Sequence, residues 1–262
     1  MKRFVKIYTY WLLGILLFTG CDDYLKEDSG DLLIPGKVEE FLPMLYREGF
    51  PRNFNDEVAW LYLTTDDVEM GQLELDPEDE SYETQDKNSL DALSAGEGEE
   101  PYKWEREIKN YADNFWERRY GNILACNLVI DALPEMKYVE TDSGVYNFLA
   151  AQAYALRAYN YWCLVNSYAL PWSKENLDKP GVIIRTEPQI DVSARGRSSI
   201  RDVYDLINGD IEKAEKYINV ATFDGNIHRL SEPAILLLAS RIALFQENWD
   251  EVIRTGKLFL AQ

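Results

Sequence analysis

The chain has a single histidine, His228, in 262 residues. One imidazole excludes a His-rich zinc site and the HExxH metalloprotease pattern, and leaves at most one base of that kind for catalysis. Placed in a polar stretch, His228 reads as a surface residue. Cysteines are equally sparse, at Cys21, Cys126 and Cys163, with no CxxC spacing. That excludes a zinc ribbon and a dithiol redox motif. Cys126 and Cys163 sit among apolar residues and read as small buried hydrophobes, and the sequence leaves a disulfide between them open. Basic residues are outnumbered, 27 against 46 acidic, for a formal charge of -19. Such a chain repels a phosphate backbone, so no nucleic-acid partner is expected. There is no GxSxG, no phosphate-binding glycine loop and no metal cluster, and no cofactor is expected. The acidic run Asp76–Glu80 lacks the turn glycine and closing Glu of a calcium loop and reads as a solvated loop.

Aromatic residues, in contrast, are plentiful: 13% of the chain, with seven Trp and seventeen Tyr. A disordered chain would be poor in them, so most of this one is expected to fold. The N-terminus reads as an address. Lys2, Arg3 and Lys6 precede a short apolar run, Trp11 to Phe18, too brief to span a bilayer as a mature helix. Leu17-Phe18-Thr19-Gly20-Cys21 resembles the bacterial lipobox, with Phe18 in place of the usual Leu. Cleavage would leave Cys21 to be acylated, and several acyl chains on one Cys give stable anchoring. Asp22 and Asp23 stop the apolar run and resemble the surface-export signals of Bacteroidetes lipoproteins. The expected organisation is a lipoprotein signal peptide over 1–20, a membrane tether over 21–36 and a helical domain over 37–262.

Within the body the apolar period is helical. Val38, Phe41, Leu42 and Leu45 share one face, with Pro43 obscuring the start. Residues 58–70 are apolar and read as helix or irregular. Residues 71–103 form a long polar loop, a length that marks function or disorder. Trp116, Tyr120, Ile123, Asn127 and Ile130 make a stripe that Pro134 is expected to end. The segment around Tyr154, Ala158, Tyr161, Val165 and Tyr168 is apolar on a second face too, Leu149, Ala153, Leu156 and Leu164, so that helix should lie between others and close before Pro171. Residues 172–197 are an irregular excursion holding Val182-Ile183-Ile184. Ser198 or Ser199 caps the cleanest amphipathic helix, Ile200 to Ile218. After the turn at Asp224-Gly225-Asn226, Ser231 caps a further helix with Pro233 in its first turn. Trp249, Val252, Ile253, Gly256 and Leu260 stripe the last. Helix pairs thus recur at a period of roughly 30 to 35 residues, the mark of TPR-like stacking. Gln262 falls with the last helix still running and no Gly or Pro to close it. A terminal repeat with a bare apolar face needs a cap, so the expectation is a domain cut short at its C-terminus.

These pieces together resemble the SusD/RagB family. Cys21-Asp22-Asp23-Tyr24-Leu25 resembles its mature start. The segment Trp116 to Asn127 resembles its helix with spaced Trp, Tyr, Ile and Asn. Ala155-Leu156-Arg157-Ala158-Tyr159-Asn160-Tyr161-Trp162 resembles the next, followed by Leu164 to Pro171. Arg197-Ser198-Ser199-Ile200 with Tyr204, Ile207, Asp210 and Ala214 resembles a fourth motif. Order and spacing agree over residues 21–260, the N-terminal part of a longer family pattern. The resemblance implies a mainly all-α fold of TPR-like helical pairs with long irregular loops. It further implies a lipid-anchored cell-surface protein of the outer membrane. Such a protein would sit on a SusC-like TonB-dependent transporter and capture an oligosaccharide, or in some relatives a peptide, without catalysis.

Sugars stack their apolar faces on aromatic rings while amides and carboxylates take their hydroxyls. The loop aromatics Tyr82, Tyr102, Trp104 and Trp172 are therefore candidate ligand contacts, with tucking onto the scaffold as the plain alternative. Asp66 and Asp67 are candidate hydroxyl acceptors or helix caps. Trp116, Tyr154, Tyr161 and Trp249, on stripes, are expected in the core. Asn127 is expected to be a satisfied buried amide, and Arg157 to pair with a buried carboxylate. Two other functions compete: a TPR-type structural adaptor for a protein partner, marked by a polar concave groove, and a lipid-anchored glycoside hydrolase, which needs two carboxylates at fixed separation.

Overall fold

A computed structural model describes residues 38–51, 103, 114–136, 143–189, 193–223 and 225–261, all within one compact unit, Gly36–Gln262. Among the described residues there are six α-helices and no strand. They are α1 (Val38–Glu48), α2 (Phe115–Met136), α3 (Ser143–Tyr168), α4 (Ile200–Ile218), α5 (Glu232–Phe245) and α6 (Trp249–Leu260). No described helix is long and apolar enough to cross a membrane.

The hub is α3, which packs against α1, α2, α4 and α5. Its sequence explains the role. Ala150, Ala151, Ala153, Ala155 and Ala158 are all buried, and their short side chains let neighbouring helices approach on several sides. Three apolar clusters surround it. One joins Val38, Phe41 and Leu45 of α1 to Cys126, Val129 and Leu133 of α2 and Leu149 of α3. A second joins Ile123, Tyr161 and Leu164 to Val203, Tyr204 and Ile207 of α4. The third places Phe148 and Ala155 against Ala214 and Ile235. Cys126 is fully buried in the first cluster, and burial pushes its thiol pKa up. Cys163 is half-buried, and the two sulfurs are not joined.

Several polar groups inside this core are matched. Gln152, fully buried, donates from Nε2 to the Leu230 carbonyl at 2.7 Å and accepts from the Leu230 N–H at 2.9 Å, tying the α4–α5 connection to α3. Arg157 meets Asp210 through two bonds, Nε to Oδ2 at 2.7 Å and Nη2 to Oδ1 at 2.8 Å, and its Nη1 reaches Asn127 Oδ1 at 2.9 Å. One guanidinium thereby joins α2, α3 and α4, as the sequence led one to expect for Arg157 and Asn127.

Helix starts follow the caps. Ser199 accepts from the Asp202 N–H while the Asp202 carboxylate accepts from the Ser199 N–H, a capping box at the start of α4. Ser231 accepts from the Ala234 N–H, with Pro233 in the first turn of α5. One proline expectation needs correction. Pro134 does not end α2, which continues to Met136. It lies in the last turn, where its missing N–H forfeits one bond while Leu133 and Met136 still bury. The α1 start that Pro43 left open lies at Val38, with Pro43 inside the helix and Val38, Phe41 and Leu45 buried on one face. A second correction concerns Trp249, which is not core: it is 59% exposed, and Ile253 and Leu260 on its face are exposed too. The one buried residue of α6 is Thr255, which lets the helix lie close to α5, its hydroxyl satisfied by the Glu251 carbonyl at 2.8 Å. Among the described residues nothing covers the Trp249 face. His228 is exposed, as expected.

Candidate functional site

Between α3 and α4 the chain leaves helical geometry. The excursion is closed at its base by an antiparallel bridge between Pro180 and Ser199. The Gly181 N–H donates to the Ser198 carbonyl at 2.7 Å, and the Ser198 N–H to the Val182 carbonyl at 2.9 Å. Gly181 suits this close approach: a Cβ would stand 3.1 Å from the Ser198 oxygen and 3.2 Å from the Ile200 nitrogen, a tight contact.

Beyond that base, residues 183–187 run outside any helix or strand as a strap across α2 and α3, and the chain bends at 188–189. In the absence of a partner strand, helix side chains satisfy its backbone. The Tyr120 hydroxyl donates to the Ile183 carbonyl at 2.7 Å. The Tyr161 hydroxyl donates to the Arg185 carbonyl at 2.7 Å and accepts from the Arg185 N–H at 2.8 Å. Asn127 Nδ2 donates to the carbonyls of Arg185 (3.0 Å) and Glu187 (3.2 Å). Along this strap Ile183, Arg185, Glu187 and Gln189 form one wall of a cleft of about 370 Å³. The opposite wall is α2, through Trp116, Glu117, Tyr120, Ile123, Leu124 and Asn127.

The cleft therefore has an aromatic side and a polar side. Trp116 and Tyr120 are half-buried, their ring centroids 5.0 Å apart, and Trp116 is braced edge-on by Tyr168 at 4.9 Å. The Arg197 guanidinium lies over the Trp116 ring at 5.6 Å, held by Nη1 donation to the Tyr168 carbonyl at 2.7 Å. Burial pushes the Tyr120 hydroxyl up to about 12, against its bond to Ile183 and the charges of Arg185 and Arg197. Burial raises Tyr161 as well. Both phenols are neutral donors near neutrality. The Glu187 carboxyl is held below its ordinary range by its own backbone N–H and by Arg195, at 3.1 Å. It is ionised, and so unsuited to the proton donation a glycosidase requires of one carboxyl. An apolar ring face beside fixed acceptors and donors suits a polyhydroxylated ligand.

Of the sequence-predicted contacts, Trp172 is described. Its ring is partly buried, in an edge-on contact with Tyr204 at 4.6 Å, and it is not part of the cleft wall. Cys21, Asp66, Asp67, Tyr82, Tyr102 and Trp104 lie outside the described residues. Sequence reasoning placed Trp116 in the core. It packs there on one edge while facing the cleft on the other, a division that helical periodicity does not reveal. Among the described residues no group of three or more His, Cys, Asp or Glu side chains is placed to hold a metal ion.

A larger groove of about 690 Å³ lies among α4, α5 and α6. It is polar, and its central cation is already matched: Arg254 pairs with Glu215 at 2.8 Å and with Glu251.

Comparison with known proteins bears on both features. Residues 50–244 match the SusD-like family model described as starch-binding associating with outer membrane. A SusD-like protein of Formosa agariphila, P38, is 33% identical over 138 residues, 52% of this chain and 24% of that protein. Among solved structures, a SusD superfamily protein from Bacteroides vulgatus superposes with a TM-score of 0.64 at 17% identity, covering 86% of this chain and 46% of the other. A SusD-like carbohydrate binding protein from the same species gives 0.60 at 20% identity, covering 87% and 45%. A laminarin binding SusD-like protein gives 0.58 at 18%, covering 83% and 41%. The chain spans about a quarter of P38 and less than half of each of these structures. Their likeness fixes the fold as the helical, TPR-like one anticipated. With the family model matched over most of its length, the chain belongs to the SusD-like family, within the SusD/RagB group its motifs resemble.

Proposed function

We propose that this protein binds an oligosaccharide at the outer membrane and passes it to a TonB-dependent transporter. The observation that carries the reading is the aromatic-walled cleft between α2 and the strap, inside the segment matched by a starch-binding family model. Trp116 and Tyr120 supply a surface for a sugar face, and the exposed Gln189 and Glu187 supply hydrogen-bonding groups beside it. Two structural neighbours, a carbohydrate binding and a laminarin binding SusD-like protein, support the same ligand class. Cys21 is the proposed lipid attachment point, holding the protein at the cell surface. Trp104, Tyr82, Tyr102, Asp66 and Asp67 remain proposed contacts from loops, and Trp172 a proposed contact near the start of the excursion.

The test is a polysaccharide binding screen, by affinity electrophoresis and then calorimetry, on the full chain lacking residues 1–20 and the acyl group. Binding to one polysaccharide class, weakened by Trp116→Ala, Trp104→Ala or Trp172→Ala in a protein that still melts cooperatively, supports the reading. A folded protein that binds no glycan in the panel overturns it. The polar α4–α6 groove would then favour the adaptor reading, which crosslinking to a co-expressed transporter barrel would examine directly.

A further inference from the structure

The buried Arg157–Asp210 pair and the cleft are joined by one amide. Asp210 of α4 takes the Nε and Nη2 donors of Arg157, which leaves Nη1 for Asn127 Oδ1 at 2.9 Å. All three side chains are buried, Asn127 to 1% exposure. On its other side Asn127 donates from Nδ2 to the strap, to the carbonyls of Arg185 at 3.0 Å and Glu187 at 3.2 Å. The amide thus stands between a guanidinium and a wall of the cleft.

The sense of that amide is dictated by its neighbours. Turned over, Nδ2 would face the Nη1 donor and Oδ1 would face two carbonyl oxygens. The charge of Arg157 therefore keeps the amide N–H groups toward the strap. The guanidinium cannot turn away in its stead, because Asp210 grips it through two parallel bonds. The anchors of the strap also differ in reach. Tyr120 holds Ile183, and Tyr161 holds Arg185. Among the described residues the helix partner of the Glu187 carbonyl is Asn127. That is the part of the wall next to the bend at 188–189, where Glu187 and Gln189 line the cleft.

We infer that Arg157 and Asp210 are positioning residues of the cleft: acting through the Asn127 amide, they fix the strap at Glu187 and so the wall that a ligand meets. The effect on the strap stands by itself, whereas the effect on a ligand rests on the glycan-binding reading. A pair that did no more than join helices could be exchanged for apolar side chains of similar volume without consequence for the strap. A pair that also orients Asn127 could not.

The experiment uses the full chain without residues 1–20 and three variants: Asn127→Ala, Arg157→Met with Asp210→Leu, and all three changes together. Limited trypsin digestion followed by mass spectrometry reads local opening of the strap from the cut after Arg185. The cut after Lys216, exposed within α4, reads loosening of the fold as a whole. Cleavage after Arg185 should be about tenfold faster in Asn127→Ala and in the double variant, the weight of one or two hydrogen bonds, with cleavage after Lys216 unchanged. The triple variant should open no faster than Asn127→Ala, since both changes act through one amide. Calorimetry with the polysaccharide that the screen returns should show affinity falling alike in Asn127→Ala and the double variant. A strap as resistant in the double variant as in the parent, or effects that add in the triple variant, overturns the proposal. So does a strap that loosens while glycan affinity holds. If the double variant fails to fold, Arg157→Lys takes its place, since it keeps a charge for Asp210 and loses the fork that reaches Asn127; an unchanged strap there overturns the proposal equally. A strap that loosens as expected in a protein that binds no glycan supports the positioning role and removes the glycan reading alone.

Discussion

The buried pair Arg157–Asp210 offers the sharpest perturbation. Arg157 is 5% exposed and Asp210 fully buried. Burial alone would lower the arginine's pKa, but the hydrogen bonds and charge of Asp210 outweigh it and leave it raised, so the guanidinium is charged in the fold. In Asp210→Ala that charge would stay buried, keeping Asn127 and losing both bonds to α4. Removing one member of a buried ion pair typically destabilises by about 3–5 kcal/mol. With a urea m-value of about 3 kcal/mol/M for a domain of this size, the midpoint should fall by roughly 1 to 1.7 M. Asp210→Asn, which keeps the shape and one acceptor, should cost less. The double variant Arg157→Met with Asp210→Leu should be more stable than Asp210→Ala, because no uncompensated charge remains. Urea unfolding followed by tryptophan fluorescence measures all three. A cost below about 1 kcal/mol for Asp210→Ala, or a double variant no more stable than Asp210→Ala, would refute the reasoning that this pair holds three helices in register.

Three further outcomes can be checked on the same protein. Stability should fall as pH rises from 10 to 12. Burial raises Tyr46 and Tyr120 to about 12, so the unfolded phenols, near 10, lose their protons first; the stabilisation is full below pH 10 and gone above pH 12. Urea midpoints at pH 9, 10 and 11 will show this, with a shallower decline in Tyr120→Phe. Gly181→Ala should cost about 1–3 kcal/mol by overpacking, since the new Cβ meets backbone atoms of Ser198, Ser199 and Ile200 that cannot swing aside; thermal melting reads it. Trp249→Ala should change stability by no more than about 0.5 kcal/mol, as for an exposed residue, whereas a core tryptophan would cost about 3–5 kcal/mol.

What the sequence revealed depended on whether a residue's role was local. The α4 helix was legible end to end, because its cap, its stripe and its buried face all lie within twenty residues of one another. Arg157 was legible for a different reason: a charge inside an otherwise apolar helix must find a partner, whatever the topology. Trp249 was misread since a stripe says that a face is apolar, not what covers it; α6 buries its small Thr255 instead. Pro134 misled because propensity counts the lost bond and not the burial that offsets it. The cleft was the least legible part. Its α2 wall read as core, and its strap has neither helical nor strand neighbours in sequence, only the Tyr120, Asn127 and Tyr161 side chains that the fold brings beneath it. The arginines of residues 185–197 were the available signal, being a basic cluster in a strongly acidic chain.

The strap separates what is fixed from what is exchangeable. Its path is set from below by three helix side chains acting on carbonyls, and carbonyls are common to every amino acid. The residues presented at 183, 185, 187 and 189 carry none of that anchoring through their own side chains. Selection can therefore rewrite the recognition surface one alternate position at a time, arginine to glutamine or isoleucine to tyrosine, on an unchanged framework. A single scaffold can in this way diversify toward many ligands, and the same four positions are where an engineered change of specificity should begin.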